Sequence, residues 1–253
     1  MDIGKNSNIG TKRLENQDRV DVLQRDTFAL LLLCDGMGGH FGGSLASTIT
    51  INVFKNEFFT TLPESFDSNN INNFVQWFQN TLEKVKTNMK NAANGDEAKM
   101  DMGTTLTGAF VDSKSKTIII FNIGDSRTFL LTKNGDLHQI TKDHNVYNKL
   151  VLEDGWSKID ALKFKGWRAL TSALGPLKKT KLEIHNVSDH YNIIQMLLST
   201  SDGVHGFLDN MAITQILKTK ENPDDTCEIL VEQAMLNHSN DNLSAGIIVL
   251  DEK

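Results

Sequence analysis

Four aspartates stand next to apolar, strand-like runs of the sequence. In chain order they are Asp35 after Phe28–Cys34, Asp125 between two strand-like runs, Asp202 after residues 193–200 and Asp241 before residues 243–250. Strands of one sheet can gather such carboxylates at a common edge, where their charges repel one another unless cations lie between them. The pattern therefore predicts a metal site built from aspartates that are far apart in the chain.

Oxygen ligands without histidine or cysteine favour the hard ions Mg²⁺ and Mn²⁺ over zinc. None of the seven histidines stands in a spacing typical of a zinc site. Two hard ions roughly 4 Å apart can share a water molecule, lower its pKa and hold a phosphoryl group for attack. The planar guanidinium of Arg13 would match two oxygens of such a phosphoryl group.

The residues after Asp35, numbers 36–43, are rich in glycine. Glycine lets the backbone turn sharply and present carbonyl oxygens to a ligand. A single Asp-Gly pair after a strand is most often a plain turn. Here the arrangement of apolar run, acid and glycine recurs at Asp202-Gly203, and this recurrence favours a functional site.

Composition describes an ordinary soluble globular chain and excludes several classes of protein. The chain has 253 residues, 39% hydrophobic and 23% charged, with a net charge of −6. This acidic balance gives no electrostatic footprint for nucleic acid, and two cysteines cannot build a disulfide framework. No run is long and apolar enough for a signal peptide or a membrane span, so we expect a cytoplasmic protein that does not bind membranes.

Hairpins dominate the strand-like part of the sequence. The paired runs are 20–23 with 27–34, 104–111 with 116–122, and 128–131 with 137–140 around Asn134-Gly135. Helical periodicity is found at 46–58, 71–91, 209–218 and 223–237. The two hairpins within residues 104–140 follow each other without a helix between them, which predicts antiparallel sheets and an α+β protein, and no linker divides residues 1–253.

Residues 143–169 differ from the rest of the chain. They are polar and charged, and they carry Trp156 and Trp167. A segment this short cannot bury two tryptophans well by itself. We therefore expect a small helical excursion at about 143–169, which is either a flap or a packed surface helix with no contact to substrate.

Eight short motifs together resemble the metal-dependent serine/threonine protein phosphatases of type 2C, the PPM family, and most closely their compact bacterial members. The motifs are Arg13–Asp18, Asp35-Gly-Met-Gly-Gly-His40, Gly103-Thr-Thr105, Gly124-Asp-Ser-Arg127, Thr141-Lys-Asp-His144, Leu174-Gly175, Ser201-Asp-Gly203 and Asp241-Asn242. The resemblance covers essentially the whole chain. It implies a sandwich of two antiparallel β-sheets with helices on both outer faces.

The resemblance also implies a role for each matching residue. Asp35 would bridge two Mn²⁺ or Mg²⁺ ions, the Gly36 carbonyl would bind the second ion, Asp202 and Asp241 would bind the first, and Asp125 with Asp202 would bind a third ion. Arg13 would clamp the phosphate. Asp18 and Gln17 would lie behind the ligands, with Asp18 holding a metal-bound water. The implied reaction is hydrolysis of phosphoserine and phosphothreonine by a water or hydroxide that bridges two ions.

Some residues depart from the family pattern. Gln17 stands where many members have Glu, so any contact from this position must be weaker or mediated by water. Met37 stands where animal members have a histidine proposed as the general acid, which leaves the proton donor open. His40 could instead fix the glycine-rich loop. Ser172 replaces the usual arginine of its motif and puts the substrate contacts of the flap in doubt.

Three other functions remain open at this point. A catalytically silent pseudophosphatase would bind metal and act as an interaction module. A calcium-binding structural protein is disfavoured because no EF-hand loop occurs. A phosphatase acting on small phosphoesters would use the same metal site. For the protein phosphatase, the resemblance implies phosphoprotein substrates, including a Ser/Thr kinase that it opposes, and we expect a monomer.

Overall fold

The computed structural model describes residues 1–38, 42–219 and 222–250. His40, which the sequence suggested could fix the glycine-rich loop, lies outside the described residues. The strands, in chain order, are β1 (Asp2–Asn8), β2 (Arg19–Arg25), β3 (Phe28–Cys34), β4 (Gly36–Met37), β5 (Gly103–Thr104), β6 (Leu106–Asp112), β7 (Thr117–Ile123), β8 (Arg127–Thr132), β9 (Leu137–Gln139), β10 (Glu183–Asn186), β11 (Ile194–Thr200) and β12 (Leu243–Val249).

These strands form two five-stranded antiparallel sheets. One has the order β1-β12-β11-β8-β9 and the other β10-β7-β6-β3-β2. The three predicted hairpins are present, with Arg19 opposite Cys34, Leu106 opposite Ile123 and Leu131 opposite Leu137. The sequence did not predict the short pair β4–β5, which lies directly after Asp35.

Strand β3 shows why its sequence is apolar without interruption. All seven of its residues are buried. Successive side chains of a strand point to opposite faces of the sheet. Leu31 packs in the core between the sheets, whereas Leu30 and Leu32 pack in the core beneath the helices. Both faces of the strand are therefore covered, as the sequence predicted.

Helices cover the outer face of each sheet. In chain order they are α1 (Gly42–Thr60), α2 (Asn72–Ala93), α3 (Glu97–Met100), α4 (Val146–Asn148), α5 (Lys158–Lys163), α6 (Asp202–His205), α7 (Asn210–Leu217) and α8 (Pro223–Leu236). Helices α1 and α2 pack through Phe54 and Phe78 on the sheet of β3, and α8 packs through Leu230 on the sheet of β12. The predicted α+β sandwich is confirmed. Across the described ranges, we find no helix that combines the length and the apolar character needed to cross a membrane.

The segment 143–169 is less regular than the sequence suggested. It holds the short helices α4 and α5 and a π-helical turn, Lys149–Glu153. Its two ends are joined by hydrogen bonds from the Val146 N–H to the Ala169 carbonyl and from the Tyr147 N–H to the Trp167 carbonyl. Trp156 packs edge-on against Phe164 and Trp167 against Tyr147, so neither tryptophan enters the core between the sheets.

Candidate metal centre

One cleft gathers most of the residues that the sequence singled out. This cleft has a volume of about 940 Å³. Its lining includes Arg13, Gln17, Asp35, Gly36, Asp125, Asp202 and Asp241, together with Lys12, Leu14, Glu15, Met37, Gly38, Thr105, Arg168, Leu170 and Asn242. Asp18 is buried, and its charge interacts with those of Asp202 and Asp241. All eight predicted site residues therefore meet at one place, although their sequence numbers run from 13 to 241.

Strand ends and paired hydroxyl groups hold Asp35. Its N–H donates to the Thr105 hydroxyl (2.9 Å), and its carbonyl accepts from the Thr105 N–H (2.8 Å). The Thr105 hydroxyl in turn pairs with that of Ser126 (2.8 Å), the residue after Asp125. This buried chain links the backbone of Asp35 to the loop that carries Asp125.

Asp202 and Asp241 meet because β11 and β12 are neighbours in one sheet. Asp202 begins α6 directly after β11, and Asp241 precedes β12. Between them the Gly203 backbone lies so close to Asn242 that a Cβ atom on Gly203 would fall 1.9 Å from the Asn242 carbonyl oxygen. The absence of a side chain at Gly203 therefore permits the close approach of the two acids.

Asn242 ties the Arg13 loop to the sheet, a role that the sequence did not reveal. Its amide nitrogen donates to the carbonyls of Ile9 (2.8 Å) and Glu15 (3.0 Å), and its amide oxygen accepts from the Gln17 N–H (2.9 Å). Arg13 reaches back across the cleft and donates from Nη2 to the Asp241 carboxylate at 2.7 Å. The motif Asp241-Asn242 marked these two residues as part of a site. It could not reveal their hydrogen-bond partners, because those lie more than 200 residues away in the chain.

The carboxyl groups of the cleft repel one another when they are charged, which raises their pKa values. Burial and the charges of Asp18, Asp202, Asp125 and Asp241 raise the pKa of Asp35 well above its usual value. Burial and the Asp241 charge also raise the pKa of Asp202, and a hydrogen bond to Asp35 partly opposes this. Without a cation, the Asp35–Asp202 pair is therefore stabilised by holding a proton.

Two further acids behave in the same way. Burial raises the pKa of Asp18 to about 7, although hydrogen bonds from Ser201 and Ser244 act to lower it. Burial and the charge of Asp202 raise the pKa of Asp125 to about 7. A cation placed among these groups would replace the protons and remove the repulsion.

The donors fit a hard divalent cation in type and in charge. The cleft offers carboxylate oxygens, and two buried ones, Asp18 Oδ2 and Asp202 Oδ1, have no hydrogen-bond partner among the residues that the structure describes. Unpaired buried oxygens are costly unless a ligand meets them. The ligands are not preassembled, since residues 1–38, 42–219 and 222–250 contain no group of three Asp, Glu, His or Cys side chains close enough to hold an ion as they stand.

Asp125→Asn is expected to stabilise the protein free of divalent ions, and more so as the pH rises. The folded-state pKa of Asp125 is raised to about 7 from 3.8. The folded state therefore binds this proton more tightly than the unfolded state, and ionisation destabilises the fold as the pH rises from about 4 to 7. We expect a gain of about 2 kcal/mol, or about 4–8 °C in Tm, at pH 8 and little at pH 4. Thermal unfolding in EDTA measures it.

Asp21→Asn provides a control of opposite sign. Burial acts to raise the Asp21 pKa, but hydrogen bonds and charges from Lys5 and Lys55 outweigh burial and lower it. This variant should lose stability relative to the parent as the pH rises through the acid range, because the lost ion pairs exist only when Asp21 is charged. A Tm gain for Asp125→Asn that did not grow with pH would contradict the repulsion described above.

The side chains of Cys34 and Ser172 are both buried and are not expected to take part in the reaction. Cys34 is buried at the end of β3, and burial raises the pKa of its thiol, so it stays protonated. The Ser172 hydroxyl is buried and accepts a hydrogen bond from the Lys181 backbone N–H at 2.8 Å.

Arg168, which follows the segment's second tryptophan, lines the cleft. Its guanidinium lies 4.7 Å from the centre of the Trp167 ring. Arg168 belongs to none of the sequence motifs described above.

The chain is similar to known protein phosphatases in sequence and in fold. The family model described as protein phosphatase 2C matches residues 10–235. The serine/threonine phosphatase Stp of Listeria monocytogenes is 28% identical over 246 residues, covering 96% of this chain and 93% of that protein. Protein phosphatase PhpP of Streptococcus pneumoniae is 28% identical over 258 residues, with 100% and 99% covered. The crystal structure of the serine/threonine phosphatase Stp1 of Staphylococcus aureus superposes with a TM-score of 0.82 at 26% identity, covering 100% of this chain and 96% of that one.

Proposed function

Because the chain belongs to the protein phosphatase 2C family, we propose that it hydrolyses phosphoserine and phosphothreonine in proteins with the help of Mn²⁺ or Mg²⁺. The observation that supports this most directly is the meeting of four carboxylates and Arg13 in one cleft. The names of its relatives, serine/threonine phosphatases, support the same substrates.

The residues proposed to hold the ions are those of the family motif. Asp35 would contact two ions, with the Gly36 carbonyl on one and Asp202 and Asp241 on the other, and Asp125 with Asp202 would hold a third. When bound, the ions would neutralise phosphate charge and lower the pKa of an attacking water. Position 36 has no room for a side chain, since the Gly43 carbonyl oxygen lies only 2.3 Å from where a Cβ would stand.

The chain's own residues orient the substrate and handle the protons. Arg13 would turn its guanidinium from Asp241 to two phosphate oxygens, which exchanges one anionic partner for another. Asp18, with its unpaired Oδ2, could accept a hydrogen bond from the attacking water. Met37 lines the cleft but carries no transferable proton, so the leaving oxygen takes its proton from another group or from water.

The direct test is phosphate release from phosphothreonine, phosphoserine and phosphotyrosine peptides with and without Mn²⁺. We expect Mn²⁺-dependent hydrolysis of the first two and little of the third. Hydrolysis of small aryl phosphates alone would contradict a protein phosphatase. Ion binding without any hydrolysis would identify a pseudophosphatase, which is not favoured because all four metal-matching aspartates and Arg13 are present.

Arg13→Ala is expected to weaken substrate binding more than it slows the chemistry. A guanidinium clamp engages the phosphate in the ground state and in the transition state alike, so KM should rise about tenfold, which corresponds to about 1.4 kcal/mol, while kcat falls less. Arg13→Lys keeps the charge without the two-pronged geometry and should be intermediate. Steady-state kinetics on a phosphothreonine peptide measure both constants. A collapse of kcat at unchanged KM would show that Arg13 acts in the chemical step.

Two finer proposals concern substrates and the segment 143–169. We propose that the phosphoproteins include the Ser/Thr kinase that the enzyme opposes, and that the enzyme acts as a monomer.

The segment 143–169 is proposed as a flap of the single catalytic domain, 1–253, because Arg168 at its end and Leu170 just beyond line the cleft. Replacing residues 146–165 should then change preference among phosphopeptides and leave turnover of a small aryl phosphate within several-fold.

A further inference from the structure

A second polar cavity is lined partly by the segment 143–169 and shares no lining residue with the cleft. This cavity, the lysine pocket, has a volume of about 340 Å³. Four lysines line it, namely Lys142, Lys149, Lys179 and Lys181. They come from three separate stretches of chain, so the concentration of positive charge results from the fold and not from a basic run.

Each of the acids in the wall of the pocket already has a partner. Both oxygens of Asp143 accept from Arg127, at 2.9 and 2.8 Å. Glu153 pairs with Lys181 at 3.5 Å. Glu183 accepts from the Lys142 backbone N–H at 3.3 Å. Asp143 and Glu153 are therefore each paired with a cationic side chain, whereas Glu183 keeps its negative charge beside a backbone donor.

The other three lysines have no such partner. In the described part of the chain, the ammonium groups of Lys142, Lys149 and Lys179 form no ion pair within 4.0 Å. With Arg127 and Lys181 counted against the three acids, the pocket keeps an excess of positive charge. All four lysines are exposed to solvent, so the attraction of an anion to this concave site should weaken as salt is added.

The inner wall adds a neutral hydrogen-bond donor. His144 is buried, and its Nδ1 accepts from the Gly124 N–H at 3.2 Å. Burial lowers the pKa of His144, so the ring is neutral near pH 7 and its proton sits on Nε2. Nε2 lies 3.8 Å from Glu183, on the pocket side. Several cationic donors around one N–H donor suit a compact dianion with several acceptor oxygens.

We propose that the lysine pocket is a second anion site, distinct from the catalytic cleft, that binds a phosphate monoester dianion through Lys142, Lys149 and Lys179. The dianion is either a free small phosphate or a second phosphorylated residue of a substrate. The site does not depend on metal ions or on hydrolysis, so its test is independent of the proposed function.

The test is calorimetric titration of inorganic phosphate into the Arg13→Ala protein in EDTA and at low ionic strength. Arg13→Ala and the removal of divalent ions are expected to weaken phosphate binding in the cleft, and neither change alters a residue that lines the lysine pocket. We expect saturable binding of one phosphate per chain. The triple variant Lys142→Gln, Lys149→Gln, Lys179→Gln in the same background should bind at least tenfold more weakly, with an unchanged Tm and circular dichroism spectrum.

A matched control separates a site from general charge attraction. Lys90→Gln, Lys114→Gln, Lys158→Gln removes the same charge from exposed lysines that do not line the pocket, and it should leave binding within twofold. Glu153→Gln should strengthen binding, because it frees Lys181. Absence of saturable binding, or equal weakening by the two triple variants, would overturn the proposal. A doubly phosphorylated peptide that binds over tenfold tighter than inorganic phosphate would identify substrate as the source, and equal or weaker binding would identify a free phosphate.

Discussion

Asp35→Asn is expected to abolish phosphate release, with a loss of at least about a thousandfold in kcat/KM at saturating Mn²⁺, or about 4 kcal/mol of transition-state stabilisation. Asp35 is the proposed ligand of two ions at once, and an amide carries no charge to hold them. Asp202→Asn should behave similarly, because Asp202 belongs to the same carboxylate cluster. Phosphate release from a phosphothreonine peptide measures the loss.

The loss should not come from unfolding. In the protein free of divalent ions, burial and neighbouring charges already raise the pKa of Asp35, so an uncharged amide should leave the Tm equal or higher. Asp101→Asn removes an exposed carboxylate that pairs with Lys178 and should keep activity within about twofold. Near-normal activity of a folded Asp35→Asn protein would refute the proposed ion ligands.

Gly203→Ala is expected to be the most damaging substitution that removes no functional group. Its Cβ would fall 1.9 Å from the Asn242 carbonyl oxygen and 3.4 Å from the Asp241 Cβ. The backbone must therefore move at Gly203 or at Asn242. These two residues directly follow Asp202 and Asp241 in the chain, so the movement would shift one of the two acids. We expect a loss of at least about a hundredfold in activity, weaker Mn²⁺ binding, and about 2–3 kcal/mol of lost stability.

Gly95→Ala is the matched control for the change from glycine to alanine. Gly95 has a φ of 79°, so the substitution is strained, but nothing lies within 4 Å of the new methyl group. We expect a stability loss of about 1 kcal/mol with unchanged activity and Mn²⁺ affinity. If Gly203→Ala bound Mn²⁺ as the parent does, the close contact would not govern the relative positions of Asp202 and Asp241.

The local patterns of the chain were readable from sequence because they depend on neighbouring residues. The apolar run Phe28–Cys34 predicted a strand buried on both faces, and Asn134-Gly135 predicted a hairpin, since strand burial and turn geometry act over a few residues. The acids beside strand ends were found in the same way. Helix was predicted in residues 143–169, but its division into α4, a π-helical turn and α5 was not, because hydrogen bonds between the two ends of the segment constrain the chain there.

What the tertiary structure decided are the relations between residues that are far apart in the chain. The bond from Arg13 to Asp241 spans 228 positions, and the anchoring of the Gln17 N–H by Asn242 spans 225. The pKa of Asp35 is raised first by burial and then by four other carboxylates, which the two sheets bring within range of its charge. Likewise, Lys142, Lys149 and Lys179, which form no ion pair within the described ranges, share one pocket only after folding. Sequence spacing carries local backbone preferences, whereas electrostatic interaction depends on distance through space, which the packing of the two sheets sets.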